Sequence, residues 1–318
     1  MNMSQGLKSN SISSGRITLK NKSRLYKRAE IIQSIRKFFI DRGYLEVETP
    51  VLIPAPAPEG NIDALESRKG FLHTSPELCM KRLLAAGYSK IFQVCKCFRD
   101  YERGNLHLPE FTMLEWYREG ADYFYLMDEC REMIKYVAKE TGSGEKLKYQ
   151  GKNIDLSDEW QRITVKEAFK TYTDLTPEKA VESGSFDEIM VTRIEPELDK
   201  GTPVFLYDYP ASLAALSQIK EDEPAVAERF ELYIGGLELA NAFSELTDPA
   251  EQRERFLKET EKRKKEGKTV YPFPEKFIND LEHMPASAGI AFGIDRFVML
   301  LTDSATIDEV VTFTPEKL

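Results

Sequence analysis

Strand-like runs follow one another in this chain without intervening helices, and that order constrains the fold more than any other feature. Ile91–Arg99 and Phe111–Tyr117 are separated only by a polar turn, Asp100–Glu110. They read as a hairpin with a long loop. Val204–Tyr209, Phe230–Ile234 and Leu237–Leu246 are further candidate strands, and Gly289–Gly293 is a Gly/Ala-rich strand running into a helix over Asp295–Thr302. With helices outside these runs and no βαβ alternation, the pattern predicts an α+β fold built on an antiparallel sheet.

Leu25, Ala29, Ile32, Ile35 and Phe39 recur at helical spacing and Gly43 is a stop, which predicts an amphipathic helix over 24–43. Tyr44–Thr49 alternates as a strand ending at Pro50, and the three prolines of Pro54–Gly60 make a loop. Leu78–Ala86 and Tyr125–Thr141 read as helices, while 142–202 is polar, weakly patterned and assigned no chemistry. Asp248, followed by Pro249 and Glu251, opens a charged helix that Gly267 closes, and its run Lys262–Lys265 reads as a solvated face. Residues 1–23, rich in Ser, Asn and Lys, read as a mobile N-terminal arm, with one domain over 24–318.

Several function classes are disfavoured. No apolar run approaches the ~20 residues that cross a bilayer, and the first residues lack the apolar core of a signal peptide. Four cysteines in 318 residues are no secreted disulfide framework, so the cytoplasm is the expected compartment. Cys95 and Cys97 share a strand face, but a metal site needs further Cys or His beside them; with three His in the chain, they read as small buried thiols. A formal charge of −9 gives no basic footprint for a dedicated nucleic-acid binder.

Three stretches carry chemistry. Arg99 stands where a strand enters a loop, a place from which a planar guanidinium can grip phosphate. Glu238 and Glu245 are seven apart on one strand. Strict alternation puts them on opposite faces, so a bulge or strand end must intervene if they are to cooperate. Gly289 to Arg296 pairs small residues, over which a flat ring can lie, with an arginine at a helix start. Two arginines, carboxylates for a divalent cation and an adenine-sized shelf describe an ATP site from which pyrophosphate leaves.

Tyr44–Pro50, the hairpin from Phe98-Arg99 to Tyr117, and Gly289–Arg296 resemble motifs 1, 2 and 3 of the class II aminoacyl-tRNA synthetases. Pro109–Tyr117 and Glu238–Asp248 look specifically lysyl. The resemblance implies ATP as a substrate, with Arg99 on its α-phosphate, Arg296 on its γ-phosphate and Gly293 under adenine, and it adds Glu102, His107, Glu238 and Leu239 to the ATP site. It implies Mg²⁺ near Glu238 and Glu245. Thr74-Ser75-Pro76-Glu77 resembles the loop whose glutamate takes the substrate amino group, with Tyr117, Asn241 and Glu245 lining the amino-acid pocket. A homodimer joined through the strand at Pro50 is implied as well.

No anticodon-binding module is expected ahead of Arg24, and the chain is similar in this to the stand-alone elongation factor P lysine ligases. Those activate (R)-β-lysine and attach it to a lysine of that factor. Ser75, where lysyl-tRNA synthetases usually have Ala, and Ala291, where they usually have Gly, lean the same way. The implied activity is ligation of lysine or (R)-β-lysine to elongation factor P, with tRNA disfavoured as acceptor; a non-catalytic paralogue and a minimal tRNA-charging enzyme are the alternatives. One departure stands out: Asp100-Tyr101 and Leu106-His107-Leu108 replace the family's Asn-Glu and Arg-His-Asn, so Glu102 falls one place late and Arg103 is the candidate replacement cation.

Overall fold

The computed structural model describes residues 21–157, 159–198 and 201–318; the arm expected over 1–23 lies almost wholly outside them. In chain order the elements are α1 (Lys22–Asp41), β1 (Leu45–Glu46), β2 (Leu52–Ile53), β3 (Glu66–Ser67), β4 (Gly70–Leu72), α2 (Glu77–Ala85), β5 (Lys90–Phe98), β6 (Glu110–Glu119) and α3 (Tyr123–Glu140). Then come β7 (Lys146–Tyr149), β8 (Lys152–Asp155), β9 (Gln161–Thr164), α4 (Val165–Tyr172), α5 (Pro177–Glu182), α6 (Phe186–Ile189), β10 (Val204–Pro210), β11 (Val226–Ile234) and β12 (Leu237–Ser244). The last are α7 (Pro249–Lys265), α8 (Glu275–Leu281), β13 (Ser287–Gly293) and α9 (Ile294–Leu301).

Eight strands form one sheet in the order β1-β5-β6-β13-β12-β11-β10-β9, antiparallel throughout its middle and parallel only at the outer pairs β1/β5 and β9/β10. The predicted α+β antiparallel architecture is therefore present. One face carries the main core: Ile31, Ile35, Phe38 and Phe39 of α1, the apolar side of α3 and most of α9 pack on Phe92, Leu114, Trp116, Ala242, Ile290 and Phe292. The Phe39 ring lies 5.0 Å from those of Phe92 and Trp116, and aromatic pairs of this kind add about 0.5–1.5 kcal/mol beyond their buried area.

The helix seam differs from the predicted one. Ala29 is exposed, and Arg28 reaches inward instead, its Nη2 donating to Thr112 Oγ1 at 2.7 Å while Nη1 pairs with Asp295. A one-position offset leaves the period intact but changes which residue meets the neighbour. The Tyr44–Thr49 strand shrinks to two residues at the sheet edge. Within 142–202 the described residues form a β7–β8 hairpin that packs on the main core, the outer strand β9, and α4 to α6 with two further helical turns through Glu197, which enclose a separate apolar cluster including Phe169, Phe186 and Ile194. Thr164 and Glu167 cap α4 reciprocally.

The charged helix α7 starts as predicted, with Asp248 accepting from the amides of Ala250 and Glu251. It ends at Gly267, whose φ of +70° turns the chain so that Lys268 N donates to Arg263 O. Its basic run is not all solvated, however. Arg263 is fully buried and donates to the carbonyls of Glu59, Ile62 and Thr269, to Asp63 and to Tyr271. It fixes the proline-rich loop in place, something a run of charges cannot disclose without the loop's position.

Candidate active site

Cross-strand register assembles the site on the face opposite the main core. Gln93, Glu115, Ala291, Asn241 and Glu231 form one row across β5, β6, β13, β12 and β11. Tyr117, Gly289, Phe243 and Arg229 form the next. Alternation sends their neighbours Leu114, Trp116, Ile290, Phe292 and Ala242 to the core.

The separation of Glu238 and Glu245 is resolved by a bulge. On β11, Leu232 and Tyr233 are adjacent, yet their partners on β12 are Ala240 and Glu238, so Leu239 is an extra residue. Leu239 and Ala240 both join the core, and Glu238, Asn241 and Glu245 then share the site face. The Leu239 side chain is buried, so what it offers a ligand is backbone.

At one end lies a pocket rich in carboxylates. Lys81, fully buried on α2, places Nζ 2.6 Å from Glu77 Oε1 and 2.5 Å from Glu245 Oε2. Glu115 accepts from Ser75 Oγ at 2.6 Å and from Tyr117 O–H at 2.9 Å, and Ser75 Oγ accepts from the Glu77 amide. Burial, then the neighbouring Glu77, hold the Glu115 carboxyl well above the usual range. Burial likewise pushes Glu245 up to about 8, although Lys81 pulls the other way. The Lys81 ammonium is disfavoured by burial, but Glu245 and Glu77 more than offset this and keep it charged. Glu77 and Glu245 thus face one cation, Glu115 sits beside Glu77 with only the Ser75 and Tyr117 hydroxyls as partners, and Glu245 Oε1 has no hydrogen-bond partner among the described residues. A second ammonium is what this pocket lacks. Gly289 keeps it open: a Cβ there would lie 2.2 Å from both Glu245 Oε1 and Tyr117 Cε1.

At the other end are the arginines. Arg296 donates to the Glu238 carbonyl at 2.7 Å, pairs with Glu238 Oε2 at 3.2 Å and donates to His107 Nε2 at 2.6 Å. Burial and the Arg296 charge push the His107 imidazole down, which keeps it neutral and able to accept. Asp295 beside it is held by Arg28 and by the Thr112 amide, fixing the start of α9. Arg99 lies against Phe111 with Glu102 3.7 Å away, and its buried Nε–H has no partner among the described residues, a donor suited to an oxyanion. A Cβ on Gly293 would meet nothing nearer than 3.7 Å, so packing does not demand its absence, and the space is left for a flat ligand.

Some expectations need correction. Glu238 and Glu245 bracket most of β12, about 20 Å apart at strand rise, so one ion cannot bridge them. Glu245 belongs to the carboxylate pocket. The carboxylate near Glu238 is Glu231, held by Arg229 at 2.6 Å and by the hydroxyls of Tyr209 and Tyr233. Burial and then Glu231 raise the Glu238 pKa, the signature of two like charges sharing a desolvated space. Arg103 does not replace a phosphate-binding cation: it is tied to Asp308 at 2.9 Å and Glu316 at 2.8 Å. Leu108 is buried in the main core and Leu106 packs against it, so these loop departures serve packing. Tyr101 takes a φ of +61° with its side chain exposed.

Sequence reasoning missed Lys81, Glu115, Arg229, Glu231 and Glu59. The first two were within reach, at i+4 from Glu77 on a helix and two residues before Tyr117 on a strand. Arg229 and Glu231 depend on β11/β12 register. Glu59 depends on how the proline-rich loop folds back; burial, then Glu77, push its carboxyl up to about 7.

The chain belongs to the class II tRNA synthetase family (D, K and N), whose model matches residues 8–317. It is 40% identical to the elongation factor P–(R)-β-lysine ligase of Edwardsiella ictaluri, over 92% of this chain and 95% of that protein. It is 40% identical to the ligase of the same name from Vibrio cholerae, again over 92% and 95%. With the lysine–tRNA ligase of Magnetococcus marinus it shares 38% identity, over 91% of this chain and 63% of that protein.

Proposed function

We propose that the chain is an ATP-dependent ligase that activates (R)-β-lysine, or lysine, as an acyl-adenylate and transfers it to a lysine side chain of elongation factor P. The observation that carries this reading is the pocket in which three carboxyl groups, Glu77, Glu115 and Glu245, are buried with Lys81 paired only to Glu77 and Glu245. A diamino acid brings the missing ammonium; an acidic side chain would meet repulsion, and an amide would leave the buried negative charge uncompensated. The names and near full-length coverage of the protein-modifying relatives support the acceptor.

The donor carboxylate oxygen attacks the α-phosphorus of ATP, the bond to the β-phosphate oxygen breaks, and pyrophosphate leaves. Arg99 spreads the charge that grows on the α-phosphate, and Arg296, braced by Glu238 and His107, holds the distal phosphate. Mg²⁺, for which Glu231 and Glu238 are the residues placed to serve, would neutralise triphosphate charge when bound. A deprotonated lysine amine of the acceptor then attacks the acyl carbon; AMP leaves, an amide forms, and the amine sheds its remaining extra proton. No side-chain nucleophile is required, and orientation with charge stabilisation supplies the rate.

Ala291 stands between Glu115 and Asn241, and Ser75 is bonded to Glu115, so both differences from lysyl-tRNA synthetases border the amine pocket. Discrimination by one methyl group is about 1–3 kcal/mol, so preference between donor isomers is partial. A homodimer is part of the proposal: Leu45, Val51 and Leu52 beside Pro50 are exposed, and β1 is an open sheet edge. No described helix is long and apolar enough to cross a membrane.

The acceptor is tested by offering the enzyme, ATP, Mg²⁺ and labelled donor to elongation factor P and bulk tRNA together. Label on the protein factor is expected; label confined to tRNA would refute the assignment.

A further inference from the structure

Beside the proposed site lies a group that the reaction does not use. Cys95 and Cys97 project from the same face of β5, and His73, 22 residues earlier, completes a cluster whose three ligand atoms all lie within 4.8 Å of one another. His73 and Cys97 are buried, and Cys95 is half-buried. The sequence supplies the thiols but not the imidazole, because the chain leaving β4 must meet the end of β5, where the Phe98 amide donates to the His73 carbonyl, to bring His73 in.

The histidine is set up as a ligand. Its Nε2 lies 2.7 Å from the Lys96 carbonyl, which can only accept, so Nε2 carries the proton and Nδ1 holds a bare lone pair. That Nδ1 is buried and has no hydrogen-bond partner among the described residues. Metal-bound histidines are commonly oriented in this way, with the second ring N–H donated to a backbone carbonyl. An unpartnered acceptor in a dry site is otherwise destabilising.

The spacing fits a particular ion. At Zn–S distances of about 2.3 Å, tetrahedral ligation separates two thiolate sulfurs by about 3.8 Å. The Cys95 and Cys97 sulfurs are 3.8 Å apart. The nitrogen, at a Zn–N distance of about 2.0–2.1 Å, belongs about 3.6 Å from each sulfur, so small side-chain rotations complete the set. Two thiolates and an imidazole are a donor set for thiophilic ions, and the half-exposed Cys95 leaves a way in and a fourth position for water.

We propose that His73, Cys95 and Cys97 form a Zn²⁺ site, with both thiols losing their protons to solvent as the ion binds. The site would stiffen the catalytic framework. The His73 carbonyl already accepts from the Phe98 amide at 3.0 Å. Ser75 and Glu77 follow His73, and Arg99 follows Phe98, so the ion would fasten the amine-binding loop to the strand that delivers a phosphate-binding arginine.

The test uses the full chain, stripped of metal by chelation under reducing conditions. Titration with Co²⁺ should give one equivalent with a near-ultraviolet thiolate-to-cobalt charge-transfer band, displaced by Zn²⁺. Cys97→Ser should weaken Zn²⁺ binding by at least about 100-fold, the upper end of what loss of a mere supporting partner costs. In the wild type, Zn²⁺ should protect Cys95 from iodoacetamide, read by peptide mass spectrometry, and leave labelling of Cys79 unchanged. Absence of the charge-transfer band, or Cys95 labelling that ignores zinc, overturns the proposal on the wild type alone. Undiminished zinc affinity in a folded Cys97→Ser protein does so as well.

Discussion

The Lys81 ammonium lies 2.5 Å from Glu245 and 2.6 Å from Glu77, buried between the two carboxylates proposed to receive the substrate amine. It makes a surplus of buried negative charge tolerable without filling the need for a cation.

Removing it should be expensive. Lys81→Met leaves Glu77 and Glu245 without their internal partner and should lower unfolding free energy by about 3–5 kcal/mol at neutral pH, measured by urea denaturation. Lys81→Arg, which keeps the charge, should recover part of the loss. An equal loss in both variants would mean that Lys81 acts through packing.

The raised Glu245 pKa gives a pH signature. Burial pushes this carboxyl from its ordinary 4.5 up to about 8 in the folded chain, so its effect on stability is most favourable below the lower value and is lost as pH rises through the upper one. At pH 7 it is mostly protonated, and a bound ammonium favours the ionised form. Donor binding should therefore release protons, and affinity should rise with pH toward 8. Calorimetry in buffers of different ionisation enthalpy reads this directly, and Glu245→Gln should reduce the release and weaken the donor by one to two decades, about 1.5–3 kcal/mol. Equal proton release in that variant would place the titrating group elsewhere.

Gly289→Ala puts a methyl 2.2 Å from Glu245 and Tyr117 as they stand. We expect donor binding to fall by at least tenfold, about 1.4 kcal/mol, with ATP binding largely kept. Equilibrium dialysis with each ligand separates the two.

Glu231→Gln and Glu238→Gln should each raise the Mg²⁺ concentration needed for half-maximal pyrophosphate exchange, whereas Glu77→Gln should not. An unchanged requirement in the first two variants would remove them from the metal-binding role.

The long antiparallel strands, the helices flanking them and the start of α7 were legible because each is written in local periodicity or capping chemistry. That a bulge or a strand end must intervene for Glu238 and Glu245 to share a face was legible, but which of the two, and its position at Leu239, was not. Register between distant strands set the rest: Glu231 is adjacent to Asn241 only across β11 and β12. Arg263 looked solvated because its run of charges is, and its burial depends on a loop about 200 residues earlier. Short elements within 142–202 gave too few turns or alternations for any period to emerge.

Activation of a diamino acid in this pocket is read by ATP–pyrophosphate exchange. Purified protein, ATP, Mg²⁺ and labelled pyrophosphate are incubated separately with lysine, with each β-lysine enantiomer, and with aspartate and asparagine. Mg²⁺-dependent label in ATP is expected with a lysine-type donor, with a partial preference for (R)-β-lysine, and none with aspartate or asparagine. No exchange with any lysine isomer, or exchange driven by aspartate, would contradict it.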